Sequence, residues 1–313
     1  MNPIILLIGR TGQIGADLKQ LLPEIGNVIA PGREELNLAE PLQVRRAIAE
    51  LRPQVIVNAA AYTAVDQAEN DAAAARAINA EAPRVLADEA RRVGALLVHY
   101  STDYVFDGEK RSPYVESDST HPLNVYGETK LEGEIAIRDS GAAHLILRTS
   151  WVYATRGKNF LRTAIRLATQ KEELRIVRDQ NGAPTWSREI AAATVRILGQ
   201  LLDTKSGALA AVRGTYHMTA GGETHWAEFA KAILAEARSL PPNDSWLAAA
   251  TSEKPLIARG VVPITTAEYP TAARRPAYSV LSNARLAETF GISLPDWQEQ
   301  LKCAFARRNE PSA

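Results

Sequence analysis

The chain has 313 residues, enough for one large or two medium-sized domains with a full core. Thirty-six Lys and Arg balance 36 Asp and Glu with no run of one sign, so electrostatics point to neither a nucleic acid nor an anionic membrane as partner. The single Cys303 cannot close an internal disulfide, no signal-type segment opens the chain, and the longest apolar runs fall far short of the roughly 20 residues of a membrane span. The expected setting is the reducing cytoplasm.

In chain order, Pro3 to Ile8 is an apolar run suited to a parallel strand covered on both faces. It ends in Gly9-Arg10-Thr11-Gly12-Gln13-Ile14-Gly15, and helical spacing follows from Ala16 to Leu22. A G-x-x-G-x-x-G between strand and helix predicts a dinucleotide site: glycines let the backbone approach a pyrophosphate, and the helix's first amides meet its charge. After a second strand over 27–30, about 20 residues past the glycines, an acid would normally accept hydrogen bonds from an adenosine ribose. Arg33 stands there instead. A cation suits a 2′-phosphate, which makes NADPH the expected cofactor with NADH also tolerated; an ordinary surface arginine beside Glu34 and Glu35 is the alternative.

A helix over 41–51 and a strand over 55–57 lead to Asn58-Ala59-Ala60-Ala61-Tyr62-Thr63, where small residues at a strand's carboxyl end let a cofactor lie against the backbone. A long alanine-rich helical stretch from Asp71 to Val93, interrupted near Asn79 and Pro83, closes at Gly94. The strand over 96–100 then delivers Ser101, Thr102 and Asp103 to the same edge as the glycine loop, because parallel strands share a direction. The alternation predicts an α/β fold, a Rossmann-type doubly wound parallel sheet. Tyr126 and Lys130 stand four apart and share one face of a helix, where a fixed positive charge lowers a phenol's pKa toward the range of proton transfer.

Beyond Trp151 the alternation loosens. Asn159-Phe160 opens a helical segment, Arg175 to Val177 reads as a short strand, and helices are expected over 186–202 and 226–237. Residues 1–150 are read as the nucleotide-binding domain, to which the chain returns around 186–215. Residues 151–185 and 216–313 are read as a smaller C-terminal α/β substrate-binding domain. His217 and His225 lack metal-ligand spacing. Arg274-Arg275-Pro276 offers guanidinium groups to a diphosphate, with a charged loop as the alternative. The polar tail from Arg307 is expected to fray.

Gly9-x-x-Gly12-x-x-Gly15, Asn58 to Ala61, Ser101 to Gly108 and Tyr126-x-x-x-Lys130 together resemble the extended short-chain dehydrogenase/reductase superfamily. With Arg148 to Tyr153, Asp179 to Thr185 and Tyr269 to Pro276 added, the chain is similar to the dTDP-4-dehydrorhamnose reductase family, over nearly its whole length. The resemblance implies that Tyr126 protonates the C4 ketone oxygen as hydride arrives, that Lys130 holds the nicotinamide ribose and lowers the phenol's pKa, and that Thr102 hydrogen-bonds the substrate oxygen. Asp103, Tyr104, Trp151, Asn159 and Arg275 fall on the sugar-nucleotide side, with the indole bounding the deoxysugar. Gly9, Thr11, Gly12, Gln13, Ile14 and Gly15 match the pyrophosphate loop, while Asn37, Leu38, Ala60, Ala61, Tyr62 and Thr63 match positions along the adenosine and ribose. The family commonly has Asp where Asn37 stands and often His where Tyr62 stands. The implied partner is a small-molecule substrate, dTDP-4-dehydrorhamnose, and the implied assembly a monomer or homodimer. Some relatives are dimers bridged by Mg2+, but no carboxylate cluster in the C-terminal part supports a metal site here. Two alternatives stand beside this reading: a reductase of a related deoxysugar nucleotide, and a non-catalytic nucleotide-binding subunit of the methionine adenosyltransferase type.

Overall fold

The computed structural model describes residues 2–203, 212–241 and 243–308. Its centre is β1 (Ile4–Ile8), whose apolar run lies between β2 (Asn27–Ile29) and β3 (Val55–Asn58), both parallel to it. β4 (Leu96–Thr102), β5 (His144–Thr149) and the strand Gly214–His217 extend the sheet on the β3 side, all in the same direction. The chain leaves β1 toward β2 and then crosses back to β3, so strand order reverses between β1 and β3. In an open α/β sheet that reversal opens a crevice for a ligand at the carboxyl ends.

Consecutive residues of β1 alternate between two apolar layers. Ile5 and Leu7 join Val57, Val98 and Leu147 beneath α1 (Gln13–Leu21), and Leu6 and Ile8 join Ile56 and Leu97 beneath α2 (Pro41–Leu51). α1 starts three residues before the expected Ala16, because Gly12 folds back on Gly9 (N–H to carbonyl, 3.0 Å) and serves as the N-cap. The glycine loop's second half is therefore the helix's own first turn, whose amides have no partner inside the helix.

The stretch read as one interrupted helix is α3 (Val65–Ala68), α4 (Ala72–Arg76), a π-helical turn over Ala77–Glu81, and α5 (Ala82–Val93), ending at Gly94 with φ 74°. The π turn aims the Asn79 amide at the Tyr62 backbone, accepting from its N–H (2.9 Å) and donating to its carbonyl (3.1 Å), and at the Thr129 hydroxyl (3.2 Å). β4 runs two residues further than expected, so Thr102 is held in the ladder opposite Thr149 rather than in the loop beyond it. α6 (Val125–Ser140) carries Tyr126 in its first turn, fixed by Asn124, whose side chain accepts from the Gly127 N–H at 2.8 Å.

The second lobe packs α7 (Phe160–Ala168) and the helices Trp226–Ser239 and Trp297–Ala306 around Tyr153, Phe229 and Trp297. Between them α8 (Ser187–Asp203) returns against α1. Residues 204–211 of the expected return lie outside the described residues. The boundary expected at 216 falls inside the strand Gly214–His217, and Leu286, Phe290, Ile292 and Leu294 cover the sheet rather than the second lobe, because the edge strand needs an apolar cover. At the tail, Arg308 is held by Asp244 (Nε to carboxylate, 2.9 Å), and residues 309–313 lie outside the described residues.

Candidate active site

A cavity of about 540 Å³ opens at the crevice between β1 and β3, walled by Gly9, Arg10, Thr11, Arg33, Asn37, Leu38, Ala60, Ala61 and Tyr62 among others. The glycine loop admits no side chain at Gly9 or Gly15. A Cβ on Gly15 would lie 2.0 Å from the Gly9 carbonyl oxygen, and one on Gly9, at φ 88°, would lie 2.6 Å from the Ala60 nitrogen. Such a bare cradle beside a helix N-terminus fits a dinucleotide. Gly12 and Ile14 belong to the turn and the core behind it, and Gln13 reaches across to the second lobe, donating to the Val152 carbonyl at 3.2 Å. Thr63 is exposed and outside the cavity wall, so the placement expected for it is not seen. Arg33 is exposed on that wall, and Arg10, which sequence reasoning passed over, stands with it between Glu34 and Glu35 (3.5 and 3.6 Å).

Tyr126, half-buried, stands over the buried Thr102 and Asp103. The Tyr126 hydroxyl lies beside that of Thr102, which donates to Asp103 Oδ1 at 3.0 Å while accepting from the Tyr104 N–H at 3.2 Å. Burial pushes the Tyr126 phenol up to about 12, with the Thr102 hydrogen bond opposing and the Asp103 charge adding to the rise. Asp103 itself is only 1 % exposed, which pushes its carboxyl up to about 6 against the hydrogen bonds of Ser279 and Thr102. The sugar contact expected of Asp103 is not seen: the carboxylate is buried and joined to Thr102.

Lys130 is also buried, and its ammonium does not lower the phenol as expected. It turns inward, donating to the Tyr100 carbonyl at 2.6 Å and meeting His99 Nε2 at 3.1 Å. Burial brings the ammonium down to about 8, with Glu134 opposing. Hydrogen-bond arithmetic acts in the same direction as burial. Asn58 accepts from the Ala60 N–H through Oδ1 (3.2 Å), which aims its NH2 at His99 Nδ1 (3.1 Å) and leaves the ring proton on Nε2. An Nε2–H can donate to a neutral amine but opposes an ammonium. Burial and the Lys130 charge together hold the His99 imidazole well below its usual range, hence neutral. His99→Gln, whose carbonyl can accept from Lys130, should raise the ammonium's pKa. A loss of activity near pH 8 caused by Lys130 deprotonation should then move to higher pH in a profile of kcat/KM.

On the substrate side Trp151 follows β5 with φ 46°, a left-handed conformation rare for a bulky residue. Its indole stacks on Trp226 with centroids 3.6 Å apart and planes 6° from parallel. A Cβ on Gly182 would fall 2.5 Å from its Cε2, which places Gly182 on the opposite face, since the first is filled by Trp226. The indole therefore presents an edge, not a face, to the site. Gly182→Ala should dislodge it: we expect the near-ultraviolet circular dichroism of the stacked pair to be lost and the KM for the substrate to rise about tenfold, roughly 1.4 kcal/mol, with NADPH affinity retained.

Two further expected substrate contacts are corrected. The Asn159 amide caps α7, accepting from the Arg162 N–H (3.1 Å) and donating to the Ala154 and Arg156 carbonyls (both 2.9 Å), so it has no group left for a sugar. Arg275 is bound to Asp66. Among the described residues no group of three or more His, Cys, Asp or Glu side chains is placed to hold a metal ion, and no helix is long and apolar enough to cross a membrane.

A bare glycine cradle at the switch of a parallel sheet, with a threonine at a neighbouring strand end and a tyrosine and a lysine on the helix beside it, defines the class: an NAD(P)-dependent oxidoreductase of the short-chain dehydrogenase/reductase type. Over residues 1–309 the chain matches the family described as RmlD substrate binding domain, and it belongs to that family. It is 50 % identical over 294 residues to a dTDP-4-dehydrorhamnose reductase of Burkholderia thailandensis, covering 94 % of this chain and 95 % of that one. To the protein of the same name from Escherichia coli K12 it is 42 % identical over 302 residues, with 95 % of each covered. Its fold is similar to the crystal structure of dTDP-4-dehydrorhamnose reductase from Bacillus anthracis in complex with NADP, at a TM-score of 0.85 and 33 % identity, covering 98 % of this chain and 100 % of that one.

Proposed function

We propose that the protein reduces the C4 ketone of dTDP-4-dehydro-6-deoxy-L-mannose (dTDP-4-dehydrorhamnose), giving dTDP-L-rhamnose. The observation that carries this reading is the Tyr126–Thr102 hydroxyl pair beside the glycine cradle, in a chain half identical to a reductase of that name. The reduced nicotinamide, when bound, supplies the hydride to C4. Tyr126 supplies the proton: with its pKa raised it remains a neutral phenol across the physiological range, a donor and not a base. Thr102 orients the oxygen, its hydroxyl fixed by the Tyr104 amide on one side and Asp103 on the other. Lys130 holds the nicotinamide ribose, anchored at the end of β4 through the Tyr100 carbonyl. Arg10 and Arg33 favour the 2′-phosphate of NADPH over the bare ribose of NADH.

The test is NADPH and NADH consumption on adding the ketosugar nucleotide, with the product identified by NMR. Formation of dTDP-L-rhamnose, faster with NADPH, is expected. Formation of a different sugar would indicate a related deoxysugar-nucleotide reductase, and no substrate-dependent loss of absorbance would favour a nucleotide-binding subunit.

A further inference from the structure

Arg274 and Arg275 are neighbours in sequence with opposite surroundings. Arg274 is exposed and makes no ion pair or side-chain hydrogen bond among the described residues. Both arginines line a second cavity, of about 500 Å³, together with Asp107, Glu109, Asp179, Gln180 and Thr266. Both terminal nitrogens of the Arg275 guanidinium are engaged. Nη1 and Nη2 bind the two oxygens of Asp66 at 3.2 and 2.7 Å, and Nη1 also meets the Ala273 carbonyl (3.1 Å) and the Thr271 hydroxyl. The Tyr104 hydroxyl lies against the same guanidinium.

Tyr104 in turn meets Tyr126 edge to face, with centroids 5.6 Å apart and planes at 77°. Two more contacts bring this loop to the helix that carries Tyr126. Asn124, the N-cap of α6, donates to the Arg274 carbonyl at 2.7 Å, and the Tyr104 carbonyl approaches Gly127 so closely that a Cβ there would lie 2.3 Å away. A planar, two-pronged arginine–carboxylate pair fixes geometry more tightly than a single ionic contact. To receive a diphosphate, Arg275 would have to release Asp66, Thr271 and Ala273. Arg274 would have to release nothing.

We propose that Arg275 is a positioning residue, holding Tyr104 against the proton-donating Tyr126 from an anchor on Asp66, and that Arg274 is the arginine of this pair that meets the diphosphate. The second half rests on the sugar-nucleotide reading above; the first concerns the enzyme's own tyrosines and can be tested without ligand.

Arg275→Lys keeps the charge but cannot hold Asp66 and Tyr104 together. It should lower kcat about ten- to a hundredfold while the KM for the ketosugar nucleotide stays within about threefold. Tyr104→Phe should lower kcat in the same way, and the double variant should fall no further than the worse single one, as members of one strut do. Arg274→Gln should instead raise KM about tenfold. In protein labelled with [ζ-13C]tyrosine, the ligand-free Tyr126 resonance should shift in Arg275→Lys; if that variant does not fold, Asp66→Asn serves in its place. An Arg275→Lys enzyme with kcat intact and KM raised as in Arg274→Gln would overturn the division of roles, and an unmoved Tyr126 resonance would overturn the strut. A wild type that leaves the ketosugar nucleotide unreduced would count against the substrate reading alone, because the resonance measurement needs no substrate.

Discussion

Tyr126→Phe should bind NADPH nearly as the wild type does and turn over substrate roughly two or more orders of magnitude more slowly, the typical worth of a positioned general acid. The substitution removes one oxygen and little else. The ring keeps its edge contact with Tyr104, and α6 keeps its Asn124 cap, so the helix and the cofactor crevice should be unchanged. What is lost is the proton. Thr102 cannot replace it, because a threonine hydroxyl is a far weaker acid than a phenol. Steady-state kinetics together with a fluorescence titration of NADPH separate the two effects, and unchanged turnover would remove Tyr126 from its role.

Lys130→Ala should harm cofactor affinity and rate together. The side chain is 1 % exposed and its ammonium joins the Tyr100 carbonyl to the His99 ring inside the sheet's edge. Removing it leaves a buried carbonyl without that donor and a cavity where three methylenes and an ammonium were, so a loss of about 3 kcal/mol in stability should accompany losses of about tenfold or more in NADPH affinity and in kcat. Lys130→Met fills most of the volume and separates packing from charge: it should recover stability but not NADPH affinity. Normal NADPH affinity in either variant would contradict the ribose assignment.

The parts of the site that lie close together in the chain could be read from it. The strand, glycine loop and helix that make the cofactor crevice are consecutive, and Tyr126 and Lys130 share a helix, so their pattern is local. Which polar groups are already taken is not local. Asp103 read as a sugar contact, but it is buried, with Ser279 from far along the chain as a hydrogen-bonding neighbour, and Arg275 read as an anion clamp, but its partner Asp66 lies 209 residues away. Asn159 read as a ligand because its role as a helix cap depends on how the loop before it folds. His99 left no signal at all: it follows the apolar residues Leu96 to Val98 of β4, and its partners Asn58 and Lys130 are 41 and 31 residues away. The break near Asn79 and Pro83 was visible, but only the π turn shows that it serves to aim the Asn79 amide at the cofactor-side backbone of Tyr62. The stacking of Trp226 on Trp151 joins two distant segments of the chain and has no counterpart in spacing.

The most direct measurement is to supply NADPH carrying deuterium at nicotinamide C4 and to locate the label in the product by NMR. With the transferred hydrogen labelled, deuterium should appear at C4 of the 6-deoxysugar in the wild type, and its transfer should slow in Tyr126→Phe in step with turnover. Label retained in the nicotinamide, or delivered to any other carbon of the sugar, would contradict reduction of a C4 carbonyl at the Tyr126–Thr102 pair.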